Sequence, residues 1–260
     1  FASDLGDRAP GIDHPMSGLD LVLSRKRPTG SGHGDILPAG LFIPLSRCPP
    51  SGGSLKGALG PKDGVHLLHS MGDTFEVMDS LTTRDPASAV IIGAGYIGLE
   101  MAEALTARGV AVTQVEALPE VLPTVDRELG AVIRVELERN GVEVLTDTTV
   151  AAITRTDDGA LTVEATCNGE PVTRTVDLVL VVVGVRPDTE LAAAAGAELG
   201  VKGAIIVDDT MRTNLPDVFA AGDCVHTHHR LLGLTWLPLG TTAHKQGRVA
   251  GENALGGDAR

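Results

Sequence analysis

"AVIIGAGYIGLE", Ala89–Glu100, is the stretch on which the reading of this chain turns. The apolar residues Ala89 to Ile92 run straight into glycine, and apolar residues then resume at helical spacing through "LEMAEALTARG". A buried strand that breaks at glycines and reopens as a helix is the first part of a βαβ unit. Gly93, Gly95 and Gly98 fall in the spacing G-x-G-x-x-G. There the first glycine permits the tight turn, the second lets backbone approach a pyrophosphate, and the third lets the helix pack close to the strand. The helix entry at Tyr96 and Ile97 offers amide groups and the positive end of the helix dipole to phosphates. Alone, this spacing is weak, but its flanks strengthen it. The next strand, "VAVTQVE", ends in Glu116, eighteen residues after Gly98. A carboxylate there accepts the hydroxyls of an adenosine ribose and repels a 2′-phosphate, so the unit predicts a site for NAD that prefers NADH to NADPH. The plain alternative is that the glycines only ease packing and Glu116 is a solvated charge.

Outward from this unit the pattern stays alternating. Upstream, "GVHLL" reads as a short strand and "SMGDTFEVMDSL" as a helix capped by Ser70, with Pro86 closing the connector. Downstream, "VDRELGAVIRVELERN" has the acidic first turn and basic last turn that suit the helix dipole, and Gly141 terminates it. Strand "VEVL" follows. The stretch from Thr148 to Asp177 carries alternating segments separated by Asp158-Gly159 and Asn168-Gly169, the signature of an antiparallel meander. "LVLVVVG" returns as a fully buried strand, "GAIIVDDTMRTNLPDVFAAGDCV" holds two strand candidates, and "TTAHKQGRVAGENAL" reads as a helix ending at Gly256-Gly257. Residues 1–62 differ: they hold eight of the fifteen prolines and eleven of the thirty-two glycines, with no sustained period, and predict irregular chain. The fold class is therefore α/β.

Composition narrows the function classes. The chain is 43% hydrophobic but only 2% aromatic, which suits a core of Ala, Val, Leu and Ile in buried strands and helices. A formal charge of −13, with no basic stripe, argues against nucleic acid and anionic membrane surfaces as partners. The longest apolar run, Leu178 to Val185, is too short to span a bilayer, so the chain reads as soluble and cytoplasmic. Cys48, Cys167 and Cys224 are widely spaced and make neither a disulfide framework nor a zinc site. The eight histidines show no metal-ligand spacing, and "HTHHR" (His226 to Arg230) reads as an exposed polar loop.

Taken together, "GAGYIGLE", the meander, "LVLVVVGVRPDTEL", "TNLPDVFAAGDC" and "LPLGTTAHKQGRVAGENALGG" resemble the pyridine nucleotide-disulfide oxidoreductases. These are flavoenzymes in which an NAD-binding domain is inserted into an FAD-binding domain. The resemblance covers roughly residues 64–260, and its last motif is most similar to the coenzyme A disulfide reductase and NADH oxidase branch. It implies a Rossmann-like NAD(H)-binding domain over 63–186, with parallel sheet and meander, and a partial FAD-binding domain over 187–260. Tyr96 then corresponds to a gate over the flavin ring and Glu100 to the acid near the nicotinamide carboxamide. The bland readings are a helix-start aromatic and an exposed carboxylate. Gly184 corresponds to a residue whose missing side chain lets backbone approach the dinucleotide, or is a plain strand terminator. Gly222 and Asp223 fall where the family's aspartate bonds the ribityl chain of FAD. Thr242 and Ala243 fall at the helix start facing the flavin pyrimidine edge. His244 and Lys245 read as solvent-facing, and Cys224 as buried and inert.

The resemblance also fails in places. Residues 1–62 supply neither the family's first strand and phosphate loop nor its redox cysteine. "GSGHGD" (Gly30 to Asp35) has no strand before it, and Cys48 sits between prolines and an irregular run. The dimerisation domain of the usually homodimeric family is missing after Arg260, so the chain reads as an internal piece. The expected activity is hydride transfer from NADH to FAD and on to a small-molecule disulfide, CoA-disulfide or oxygen. A non-catalytic NADH-binding fragment and a ferredoxin-reductase type of flavoenzyme are the alternatives.

Overall fold

The computed structural model describes residues 59–260, together with the backbone of two short strands, β1 (Leu21–Ser24) and β2 (Gly40–Phe42). In chain order there follow β3 (Val65–Leu67), α1 (Met71–Thr83), β4 (Ser88–Ile92), α2 (Tyr96–Thr106), β5 (Ala111–Val115), α3 (Arg127–Arg139) and β6 (Glu143–Leu145). Next come β7 (Thr148–Arg155), β8 (Leu161–Cys167), β9 (Glu170–Val176), β10 (Leu178–Val181), α4 (Glu190–Ala194), β11 (Val218–Ala221), β12 (Thr227–His229), β13 (Gly233–Thr235) and α5 (Gly240–Ala254). The chain is α/β with a Rossmann-like parallel sheet.

That sheet has the order β3-β10-β4-β5-β6, every pairing parallel. Of its central strands, β10 is apolar at every position and β4 is apolar from Ala89 to Ile92, because both faces are covered. Ala89 and Ile91 of β4, with Leu178 and Leu180 of β10, pack against Val77 of α1 and Ala102 and Leu105 of α2. The alternate residues, Val90 and Ile92 with Val179 and Val181, pack against Ile153, Leu161, Val163 and Val176 of the meander. Each Val, Leu or Ile among them contributes roughly 1.5–3 kcal/mol when fully buried, so the three layers are held by their period-2 sorting.

Local chemistry sets the ends. Ser70 caps α1: its Oγ accepts from the Asp73 amide at 3.2 Å, while Asp73 Oδ2 accepts from the Ser70 amide at 2.9 Å. In the meander β7-β8-β9, Asn168 and Gly169 both take positive φ, +50° and +88°, as a two-residue hairpin turn of the right twist requires. Among the described residues no helix is long and apolar enough to cross a membrane.

Three expectations need correcting. Within residues 1–62, expected to be irregular, β1 pairs antiparallel with β11 and with β2. The four residues "LVLS" offer a short extended run to the open edge of β11, a signal the proline and glycine content outweighed. Of the two strands expected between Gly203 and Val225, only β11 forms; Ile205 makes single bridges to Leu199 and Val225. The histidine run is not an exposed loop: β12 pairs with β13, and His226 is buried with Nε2 2.9 Å from the Val207 carbonyl. "GSGHGD" and Cys48 lie outside the described residues.

Candidate functional site

The carboxyl ends of β4, β5 and β10 bring one group of expected site residues together. The chain proceeds from β4 to β5 and β6 on one side, and returns after the meander to β10 on the other. The gap between β4 and β10 is thus a topological switch point, where open α/β sheets hold ligands.

Gly93 enters the turn at φ +103°, and a Cβ there would lie 2.7 Å from the Val182 carbonyl oxygen. Only glycine lets the turn sit this close to the end of β10. Three successive residues of the β5 segment then hold the turn. Val115 accepts from the Gly93 amide at 2.7 Å, Gln114 Nε2 donates to the Gly93 carbonyl at 2.7 Å, and Glu116 Oε2 accepts from the Ala94 amide at 2.7 Å. The other oxygen of Glu116 accepts from the Leu118 amide at 3.0 Å, and the side chain is nearly buried. Glu116 is therefore at the turn, as the strand-end position predicts, but as a braced carboxylate rather than a freely solvated one.

Gly98 is the tightest point: a Cβ would meet the Gly93 carbonyl oxygen at 2.0 Å. Gly95 is the opposite case, with nothing within 4 Å of its absent Cβ among the described residues. It is the N-cap of α2 and has no side chain to satisfy the first amides of the helix. A helix entry with open amides, unblocked in front, attracts an anion through hydrogen bonds and the helix dipole.

Tyr96 and Ile97 follow, both exposed, and Glu100 lies exposed one turn beyond Tyr96 on the same helix face. Gly184, past the end of β10, is exposed with φ +99°, and its carbonyl lies 3.4 Å from His69 Nε2.

A second group gathers at the end of β11. Gly222 turns at φ +95° and its amide donates to Gln246 Oε1 of α5 at 3.0 Å. The backbone carbonyl of Asp223 accepts from Trp236 Nε1 at 2.7 Å, and burial raises the pKa of its carboxyl above the ordinary aspartate value. The amides of Thr242 and Ala243 both donate to the Leu239 carbonyl at 2.9 Å. Among the described residues the open donors at the start of α5 are thus those of Gly240 and Thr241, two residues earlier than the expected Thr242 and Ala243. Beside them a cavity of about 290 Å³ is lined by Thr241, Thr242, Lys245 and Gln246, with Asp208 and His228 among the residues opposite. No residue of the Gly93–Gly98 turn lines it. Cys224 is buried, its thiol 3.4 Å from the Ala221 carbonyl.

The family model described as pyridine nucleotide-disulphide oxidoreductase matches residues 51–247. The chain belongs to this family. The NADH oxidase of Methanocaldococcus jannaschii is 36% identical over 201 residues, which is 76% of this chain and 43% of that protein. Among solved structures, a NAD-dependent persulfide reductase from A. fulgidus superposes with a TM-score of 0.72 at 36% identity, covering 83% of this chain and 38% of that one. A water-forming NADH oxidase from Lactobacillus brevis, bound to NADH, gives a TM-score of 0.70 at 27% identity, covering 84% and 48%. The chain thus spans less than half the length of these relatives.

Three residues important to the geometry escaped the sequence reading: Gln114, Gln246 and Trp236. Only Gln114 left a signal, as a lone amide between Thr113 and Val115 in a strand that is apolar at its other positions.

Proposed function

We propose that this chain carries the NAD(H)-binding domain, residues 63–186, and the C-terminal segment of an FAD-binding domain, residues 187–260, of a flavoenzyme. That enzyme passes hydride from NADH to FAD and on to a disulfide, CoA-disulfide or oxygen acceptor. The observation that carries the reading is the unblocked helix entry at Gly95, braced from beneath by Gln114, Val115 and Glu116.

A bound nicotinamide supplies the hydride and a bound flavin takes it up; the protein supplies orientation and electrostatics. The amides from Gly95 through Ile97 hold the pyrophosphate, and Glu116 accepts from the adenosine ribose. Tyr96 shields the flavin face, Glu100 receives the carboxamide of the nicotinamide, and Gly184 leaves room for the dinucleotide. On the flavin side, Asp223 accepts from ribityl hydroxyls beside the Gly222 turn. The amides of Gly240 and Thr241, ahead of Thr242 and Ala243, face the pyrimidine edge. The acceptor classes come from the relatives, one named an NADH oxidase and one a persulfide reductase.

Calorimetric titration of the chain with NADH and NADPH tests the first site. NADH is expected to bind about tenfold or more tightly, because Glu116 faces the position of the extra phosphate. Equal affinities would remove Glu116 from the ribose. Incubation with FAD tests the second site: retained yellow colour that NADH bleaches supports the flavoenzyme reading. A chain that binds NADH yet stays colourless is a dinucleotide-binding fragment only.

A further inference from the structure

Two of the bracing contacts on the glycine turn grip a single peptide group. Gln114 Nε2 donates to the Gly93 carbonyl and Glu116 Oε2 accepts from the Ala94 amide, each at 2.7 Å. These are the two ends of the Gly93–Ala94 peptide bond. In a trans peptide the C=O and N–H point in opposite directions. Residues i and i+2 along an extended strand put their side chains on one face about 7 Å apart. The spacing Gln114-Val115-Glu116 therefore matches a peptide lying lengthwise between a donor and an acceptor.

Gln114 is fully buried, and its Oε1 has no hydrogen-bond partner among the described residues. A leucine would fill similar space without burying an amide, so packing alone does not account for glutamine here. The carbonyl it holds is also the group that would clash with any Cβ at position 98, and that Cβ would lie 3.0 Å from Gln114 Nε2. The carbonyl is thus trapped facing inward, under the first turn of α2.

We propose that Gln114 is a positioning residue for dinucleotide docking: it keeps the Gly93 carbonyl turned inward so that the crevice presents amide N–H groups to the phosphates. This rests on the reading that the crevice takes NADH. Gly93 has no Cβ to resist rotation of the peptide that follows it. Without Gln114 only the Glu116 bond still holds that peptide, and whenever it turns a carbonyl oxygen swings toward the bound phosphates as the Ala94 amide leaves Glu116.

The test uses the full chain with Gln114→Leu and, as an unbranched apolar replacement, Gln114→Met. Hydrogen exchange at the Ala94 amide is measured without ligand, and affinities for NADH and for adenosine are measured by calorimetry. Loss of one hydrogen bond is expected to speed Ala94 exchange and to weaken NADH binding by about tenfold each. Adenosine, which lacks phosphate, is expected to change far less than NADH. Faster exchange with unchanged NADH affinity overturns the inference and leaves the proposed function standing. Equal losses for NADH and adenosine overturn it too, as general damage to the site. A wild-type chain that binds no NADH defeats the proposed function itself. In that case unchanged Ala94 exchange in both variants shows that the clamp is absent as well.

Discussion

Gly98→Ala is expected to lower the thermal midpoint by roughly 4–8 °C, a net loss of about 2 kcal/mol on a scale of about 2–4 °C per kcal/mol for a domain of this size. Alanine is the better helix former by about 1 kcal/mol, and that gain works in its favour. The opposing effect is larger. The new methyl would stand 2.0 Å from the Gly93 carbonyl oxygen and 3.0 Å from the carbonyl carbon, which are backbone atoms held by β5. Neither can swing aside, so α2 must lift from β4, and overpacking of this kind costs about 1–3 kcal/mol or more. Gly247→Ala in α5 is the control, because a Cβ there meets nothing within 4 Å among the described residues and should leave the midpoint unchanged or slightly raised. Thermal unfolding of the two variants side by side decides the matter. A Gly98→Ala protein as stable as the parent would mean that α2 does not rest on the turn as described.

Glu116→Ala is expected to weaken NADH binding on the order of a hundredfold, by removing an ionised acceptor with two partners. It removes the carboxylate assigned to the ribose and also releases the Ala94 and Leu118 amides. Stability should fall as well, by roughly 2–3 kcal/mol, because hydrogen bonds to a charged acceptor in a nearly buried position are worth more than neutral ones. The two effects separate in a Glu116→Gln variant. Its amide oxygen still accepts one hydrogen bond, so much of the stability returns, while discrimination against NADPH is lost with the charge. Unfolding midpoints and titrations with both nucleotides measure this. A Glu116→Gln chain that still rejects NADPH would place the selectivity elsewhere.

The parts of the fold that were legible in advance are those in which local pattern and burial agree. Ala89 to Ile92 read as a buried strand because both of its faces are covered, and Gly93 and Gly98 meet the demands for a tight turn and close helix packing that their spacing implies. The Asn168-Gly169 turn was legible for the same reason, since few other pairs adopt two positive φ values without strain. What the sequence hid is pairing at a distance. Gln246 to Gly222 and Trp236 to Asp223 join residues thirteen or more apart, and nothing in the local pattern names such partners. The histidine run was misread because polarity predicts exposure, whereas His226 satisfies a ring nitrogen on the Val207 backbone and is buried. At α5, periodicity located the helix but not the register of its open amides, which depends on where Leu239 caps it.

The central claim is that phosphates dock in front of Gly95, and NADH titration of Gly95→Val beside the parent chain tests it most directly. Gly95 has φ −77°, which valine adopts, and among the described residues nothing lies within 4 Å of its absent Cβ, so the fold should lose no more than about 1 kcal/mol as the N-cap changes. The parent is expected to bind NADH and the stably folded variant to show no measurable binding heat. A folded Gly95→Val chain that binds NADH as the parent does would contradict the claim.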